Sequence, residues 1–509
     1  MTNFQDLKDI FLKQNTNLIL VADAETRSHF KKNSQCVSRT SAGGVSVALE
    51  PVVKASGGIY IGRSKTDECR EILDKNNKIK INDAQGDYTL RKIFLSEKEV
   101  EEYYYGFSNQ TLWPLCHVTF EKPEFRQDWF EGYKRVNQKF AEAVKQEIKS
   151  NSLIWLNDYQ LSLVPKLLNK PKNSVVAFFW HIPWPTWEVF RILPFKREIL
   201  ESLLSCDFLA FHRGYHVRNF LETVEREFEV RIDEETNRIY YNNNITTVKS
   251  LPMGIDTDVI SSLAFDGSNN ETSLIKVVKT IFHLEKKVEI SEENEIDELF
   301  KHNKIILGVD RLDYTKGLFL RLQAIDRFFE KNPKYIGNVS YLGILAPSRE
   351  VIPSYKKLKK EVYDLSIEIN KKYYKSQRNW MPIHLVSRVF ERKDIIEYYK
   401  KASLCLITPR DDGMNLVSKE FVISTSFSKT PGMIILSQFA GSAIDLTRAL
   451  IINPYDIDEV AGAIKKGLEM SDKEKKERIG YMVDILEEKN IYTWATEFIR
   501  SARISVKEK

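Results

Sequence analysis

Short runs of β-branched and aromatic residues alternate with amphipathic helical stretches along almost the whole chain, and that alternation limits its fold more than any other feature. Parallel strands need a crossover between them, usually a helix, so the pattern reads as α/β, with parallel sheets covered by helices. The runs in the first half are residues 18–22, 91–95, 153–156, 175–180 and 206–211. In the second half they are 304–309, 339–346, 383–387, 404–408, 433–437 and 449–452. After Lys316, Leu318, Leu322, Ile325 and Phe329 recur at helical spacing on one face.

At 509 residues the chain exceeds what one compact core holds, and two large domains are expected. The boundary belongs near residues 250–275, where the polar, turn-rich stretch 233–244, the segment Leu251-Pro252-Met253-Gly254 and a second polar stretch at 266–273 follow one another. Each half then has about 250 residues, enough for one doubly wound sheet. Two such sheets facing each other make a cleft at the carboxyl ends of their strands, so chemistry is expected in the strand-to-helix loops. Met253-Gly254 is a candidate hinge.

Composition excludes several classes. With 42% hydrophobic and 29% charged residues the chain is neither disordered nor fibrous. The net charge of +5 is spread thinly, without the basic block that nucleic-acid binding needs. The longest apolar runs, such as 175–180, fall far short of the ~20 residues a bilayer requires. A soluble, cytoplasmic protein is expected. The five cysteines, Cys36, Cys69, Cys116, Cys206 and Cys405, have no CxxC spacing and are odd in number, so they read as reduced core residues.

Five groups carry candidate chemistry. The loop 311–317 sets Arg311 and Lys316 beside a helix start, the outline of a diphosphate clamp, although two solvated cations would explain the residue types alone. The loop 409–420 offers Asp412 at a turn, Gly413 for close backbone approach and Glu420 two helical turns on. Such carboxylates suit sugar or ribose hydroxyls, and equally a helix cap and a lysine partner. Ser41-Ala42-Gly43-Gly44 opens a helix that Pro51 should shorten or kink, a weak phosphate signal. His181, followed by Ile182 and then Pro183-Trp184-Pro185, projects from a rigid strand end, where structural donors are commoner than catalysts. Tyr105 and Trp113, with Asp158 after residues 153–156, supply aromatic walls and one carboxylate suited to a sugar ring, and core packing explains Trp113 as well.

Taken together, the blocks SAGG at 41–44, FSNQTLWP at 107–114, NDYQL at 157–161, HIPWP at 181–185, RLDYTKG at 311–317, DGMNLVSKE at 412–420 and SQFAGSA at 437–443 resemble the trehalose-6-phosphate synthase family of retaining glycosyltransferases, which includes the glucosylglycerol-phosphate synthases. The resemblance spans residues 41 to about 494. It implies the GT-B fold, two Rossmann-like domains facing across a cleft, with an acceptor-binding domain at 1–255, a nucleotide-sugar domain at 256–490 and a final helix at 491–509 crossing back to the first. By the same resemblance Arg311 and Lys316 hold the donor diphosphate with the Gly43-Gly44 backbone, Glu420 takes the ribose, and Asp412 and His181 bind the transferred glucose. Gly413, Met414, Asn415 and Leu416 lie near the donor. Tyr105, Trp113 and Arg349 match acceptor-phosphate residues, and Asp158 matches one beside the reacting hydroxyl.

The reaction implied is transfer of glucose from UDP-glucose, or ADP-glucose, to glucose 6-phosphate by front-face chemistry, in which the leaving phosphate takes the acceptor's proton. No cofactor is implied, since the nucleotide sugar is a substrate. No metal site is evident, and neither nucleic acid nor membrane is an expected partner; a homo-oligomer is compatible with the sequence. Two positions depart from the family. The first strand reads Ala22-Asp23-Ala24 where the family has Ser-Asn-Arg, and Gly62-Arg63-Ser64 replaces Gly-Trp-Ser. Arg63 either restores the lost phosphate contact or marks a smaller acceptor such as glycerol 3-phosphate. A catalytically silent regulatory subunit is a further alternative, against which Arg311, Lys316, Asp412 and Glu420 all stand intact.

Overall fold

The computed structural model of the protein describes residues 2–40, 44–266, 292–374 and 380–507. The chain forms two compact units, Met1–Gly254 with Glu488–Lys509, and Ile255–Glu487. In the first unit the strands are β1 (Asn17–Ala24), β2 (Arg27–Lys32), β3 (Gln35–Thr40), β4 (Ile59–Arg63), β5 (Lys78–Ile81), β6 (Tyr88–Ile93), β7 (Ser152–Asn157), β8 (Val175–Trp180), β9 (Phe208–Phe211), β10 (Arg231–Asp233), β11 (Arg238–Tyr241) and β12 (Asn244–Ser250). Ten of them make one sheet in the order β10-β11-β12-β9-β8-β7-β1-β4-β6-β5, parallel from β12 to β6 with antiparallel edges. The second unit has β13 (Lys304–Arg311), β14 (Val339–Ala346), β15 (Ile383–Val386), β16 (Leu404–Ile407), β17 (Met433–Ser437) and β18 (Leu450–Ile452). They form an all-parallel sheet in the order β15-β14-β13-β16-β17-β18.

The apolar runs become the central strands because both faces of a parallel sheet are covered. In β7 and β8 every residue is buried. The C-terminal helix Ile491–Lys507 belongs to the first unit and lays Trp494, Phe498 and Ala502 into its core. The Phe498 ring stacks on Trp155 at 3.9 Å between centroids, and Trp494 Nε1 donates to the Leu251 carbonyl at 3.2 Å. Each such large apolar side chain contributes roughly 1.5–3 kcal/mol. Gly254 lies against the same segment: a Cβ there would meet the Lys489 carbonyl oxygen at 2.3 Å. Among the described residues no helix is long and apolar enough to cross a membrane.

Three features differ from the sequence reading. Cys36 and Cys69 are joined in a disulfide, so only Cys116, Cys206 and Cys405 are free and buried. Cys36 lies on the half-exposed hairpin β2–β3, where no apolar pattern marks a strand, and pairing across 33 residues leaves no trace in local spacing. The stretch 233–244, read as a polar connection, extends the sheet instead. Asn242 and Asn243, with φ of 46° and 62°, make the tight turn that folds β11 onto β12. The helix at Gly44–Ser56 is not cut short at Pro51; burial of Leu49, Val52, Val53 and Ala55 outweighs the one backbone bond that proline forfeits.

Candidate active site

In the second unit the chemistry is built on the loop after β13. Asp313 caps the turn Tyr314–Lys316, its Oδ1 accepting from Thr315 N at 3.0 Å and Thr315 Oγ1 at 2.9 Å. Its Oδ2 gathers cations. Arg311 Nη2 lies 3.6 Å away, Arg349 Nη1 3.4 Å, and the Tyr355 hydroxyl donates at 3.2 Å while accepting from Arg349 Nη1 at 2.6 Å. Burial works against the Asp313 carboxylate, but the charges of Arg311, Arg349 and Lys316 prevail and hold its pKa at about 2. One buried anion therefore positions two guanidiniums, of which Arg349 is almost covered and Arg311 is 41% exposed.

Lys316 reaches the carboxylate of Asp412 on the neighbouring loop. The loops approach so closely that Gly317, at φ +65°, would bring a Cβ within 2.3 Å of the Thr408 carbonyl oxygen. Beneath them Arg321 is fully buried. It donates from Nε to Thr408 Oγ1 at 2.8 Å, from Nη2 to Asp310 Oδ2 at 2.7 Å, and to the Lys316 carbonyl at 3.3 Å. Asn415, at φ +71°, caps the helix Leu416–Ser426 by accepting from Ser418 N, and donates to Asp412 Oδ2 at 3.0 Å. Gly441 N donates to the Asp412 carbonyl at 2.9 Å, and Ser442 N to that of Met414 at 2.6 Å. Any Cβ on Gly441 would stand 1.9 Å from the Gly413 oxygen. Lys419 and Asp445, both wholly buried, clamp the same two segments at 2.9 Å.

The first unit supplies a separate cluster at the carboxyl ends of β1, β4, β7 and β8. Asp158, at φ +74°, accepts at Oδ1 from the backbone N–H groups of Tyr159 and His181 at 3.0 and 3.1 Å. Burial raises its pKa to about 7 and the nearby Asp23 charge adds to this, against those backbone donors. Asn157 donates from Nδ2 to the Val21 carbonyl, so its Oδ1 faces His181 Nε2 at 3.1 Å as acceptor. The imidazole therefore carries its proton on Nε2, and Nδ1 is a buried acceptor with no partner among the described residues. Burial lowers the His181 pKa to about 3, keeping the ring neutral. Arg63 grips Asp23 bidentately, Nε at 3.0 Å and Nη2 at 2.9 Å, lies over the Tyr104 ring at 4.6 Å, and shares Asp23 with the Tyr103 hydroxyl at 3.0 Å.

These loops can seat an anionic diphosphate in one unit and a polyhydroxylated ring in the other. The sequence pattern of Glycosyltransferase family 20 matches residues 15–504. The chain belongs to glycosyltransferase family 20. It is 33% identical over 466 residues to the trehalose-6-phosphate synthase of Enterobacter sp. strain 638, covering 91% of this chain and 92% of that one. It is 32% identical over 475 residues to the alpha,alpha-trehalose-phosphate synthase [UDP-forming] A of Dictyostelium discoideum, 92% of this chain but 60% of that longer protein. Among solved structures, the UDP-forming enzyme of Burkholderia xenovorans in complex with glucose-6-phosphate superposes with a TM-score of 0.82 at 29% identity, covering 96% of this chain and all of that one. An E. coli structure bound with UDP-2-fluoro glucose gives 0.80 at 29% identity, covering 96% and 99%. The GT-B class expected from the sequence, two Rossmann-like α/β units, is the fold of this family 20 chain.

Within this family 20 chain the structure brings Arg311, Lys316, Asp412, Gly413, Met414, Asn415 and Leu416 together with Arg349, which the sequence reading set on the acceptor side. Glu420 stands apart from that knot, its Oε1 taking Arg392 Nη2 at 2.8 Å. Asp158 and His181 meet in the first unit, and Trp113 packs near them, 5.9 Å from the Tyr159 ring. Tyr105 lies on the wide helix Val100–Leu112, edge-on to Tyr104 at 5.3 Å, where the sequence was read as a loop group. Gly44 begins its helix exposed, and Gly43 lies outside the described residues. Sequence reasoning missed Asp313, Tyr355, Arg321 and Tyr103. Only Asp313 had a signal, as the acidic cap inside RLDYTKG; the others are aromatic or basic residues in ordinary helical context.

Proposed function

We propose that the protein transfers glucose from UDP-glucose to glucose 6-phosphate with retention, giving trehalose 6-phosphate and UDP. The observation that carries this reading is the convergence of Arg311 and Arg349 on Asp313, beside Lys316 on Asp412. Departure of a nucleoside diphosphate develops negative charge, and fixed cations that need no reorganisation stabilise that change. Arg311 and Lys316 take the donor diphosphate, with Asn415, Leu416 and the backbone of Gly43 and Gly44 beside it, and Glu420 takes the ribose. Asp412 and the bare Nδ1 of His181 receive glucose hydroxyls. Tyr105, Trp113 and Arg349 hold the acceptor phosphate, and Asp158 faces the attacking hydroxyl. With no carboxylate needed as nucleophile, the leaving phosphate accepts the acceptor's proton.

Relatives named as UDP-forming, and a neighbour bound to glucose-6-phosphate, support these substrates. Glycerol 3-phosphate is the second reading, favoured by Arg63, whose charge is already met by Asp23 and whose side chain offers no ring-stacking wall. Incubation with UDP- or ADP-glucose and either acceptor, with product identified by mass, decides between them. Arg311→Ala should lower turnover by at least 100-fold with the thermal transition unchanged; normal turnover in that variant would remove the proposal's basis.

A further inference from the structure

We infer that the second unit carries another anion site, at the edge of its sheet away from the donor loops, suited to a small phosphorylated molecule. A cavity of about 920 Å³ opens there, inside the ~300–1,000 Å³ range of small-molecule sites. Its walls include Lys304, the first residue of β13, together with Ser403 just before β16 and Thr430 and Pro431 just before β17. Arg311 ends β13, so the cavity lies roughly 23 Å from the clamp at about 3.3 Å per residue. It is a separate place, and the inference does not depend on the proposed reaction.

The charge of the walls is unbalanced. Five lysines line the cavity against the three acids Asp297, Glu298 and Asp472. Three of the lysines are engaged: Lys301 with Glu298 at 2.5 Å, Lys401 with Asp297 at 3.1 Å, and Lys400 with Glu397 at 2.8 Å and the Ala264 carbonyl at 2.7 Å. Lys304 and Lys475 remain, and among the described residues neither ammonium has an ion pair or hydrogen bond.

Lys475 is the informative one, because it is only 8% exposed. The other two buried lysines of the described chain each hold a carboxylate, Lys92 with Glu25 at 2.8 Å and Lys419 with Asp445 at 2.9 Å. Its stem is covered while its ammonium has no carboxylate to hold among the described residues, and it also stands in the first turn of the helix Asp472–Glu488, where the macrodipole disfavours a cation. Burial pulls the Lys475 pKa below the ordinary lysine value, and the Lys304 charge pulls the same way against Asp472. Both unpaired ammoniums therefore act on one space. A phosphate dianion placed there satisfies both, and the hydroxyls of Ser403 and Thr430 on the same walls add neutral donors.

Pyridoxal 5′-phosphate, an aldehyde that carries a phosphate, is the probe. Its aldehyde condenses with a lysine amine to an imine, releasing one water, and borohydride reduces that imine to a stable secondary amine that is mapped by peptide mass in the full-length protein. Lys475 or Lys304 should take the label first, with inorganic phosphate suppressing it at least fivefold while chloride at equal ionic strength does not. In parallel, phosphate should raise the thermal transition of wild type and of Lys475→Arg more than that of Lys475→Met. Label spread over exposed neighbours such as Lys473 and Lys476, or phosphate protection confined to Lys316, would overturn the inference.

Discussion

Replacing Asp158 by asparagine should stabilise the protein at alkaline pH and much less at acid pH. The folded carboxyl has a pKa of about 7 against an ordinary value of 3.8, with burial as the first cause. The folded protein thus binds this proton more tightly than the unfolded chain does. The stability that results is complete below about pH 4, declines by about 1.4 kcal/mol per pH unit as pH rises, and is gone above 7. Over three units that is an upper bound of about 4 kcal/mol, and relaxation of the surroundings around the charged carboxylate reduces it to about 2 kcal/mol. Asparagine keeps the Oδ1 acceptor for the backbone N–H groups of Tyr159 and His181 and never ionises. Thermal unfolding of both proteins from pH 4.5 to 8.5 should show the variant gaining on wild type by about 4–8 °C across the range. A gap that stays constant, or wild type gaining as pH rises, would refute the claim that this carboxyl is held protonated by its surroundings.

Two further outcomes follow from close contacts and from the disulfide. Gly441→Ala should raise the KM for the nucleotide sugar at least tenfold, because its Cβ would force the Gly413 oxygen away from 1.9 Å and with it the turn that carries Asp412 and Asn415; unchanged donor kinetics would show that this turn adapts freely. Thiol titration of the denatured, unreduced protein should find three free cysteines rather than five, and reduction should cost about 3–4 kcal/mol for a loop of this length, read as a lower thermal transition.

The alternation of apolar runs and helical faces was enough to place β1 and β6–β9 of the first sheet and all six strands of the second, because a strand buried on two faces must be apolar along its whole length; it passed over β4, which is short and ends at Gly62-Arg63, and β12. It was blind to β2, β3, β10 and β11, half-exposed edge or hairpin strands whose polar residues carry no such constraint. The candidate site divided in the same way. Arg311, Lys316, Asp412 and His181 could be named because a cation, a carboxylate or an imidazole in a strand-to-helix loop has few structural excuses. Asp313 and Tyr355 could not be given roles, since what matters in them is the convergence of Arg311 and Arg349 on one buried oxygen, which residues 36 and 42 positions further along the chain complete.

What the linear order of residues determined, then, was the class of fold and the kind of chemistry, both written in periodicity and in side-chain type at loop positions. Only the tertiary structure decided the partners: Arg63 with Asp23, Lys316 with Asp412, Cys36 with Cys69, and Lys475 with none among the described residues. The physical reason is that charge, burial and hydrogen bonding act over a few ångströms of space, and distance along the chain does not measure that space.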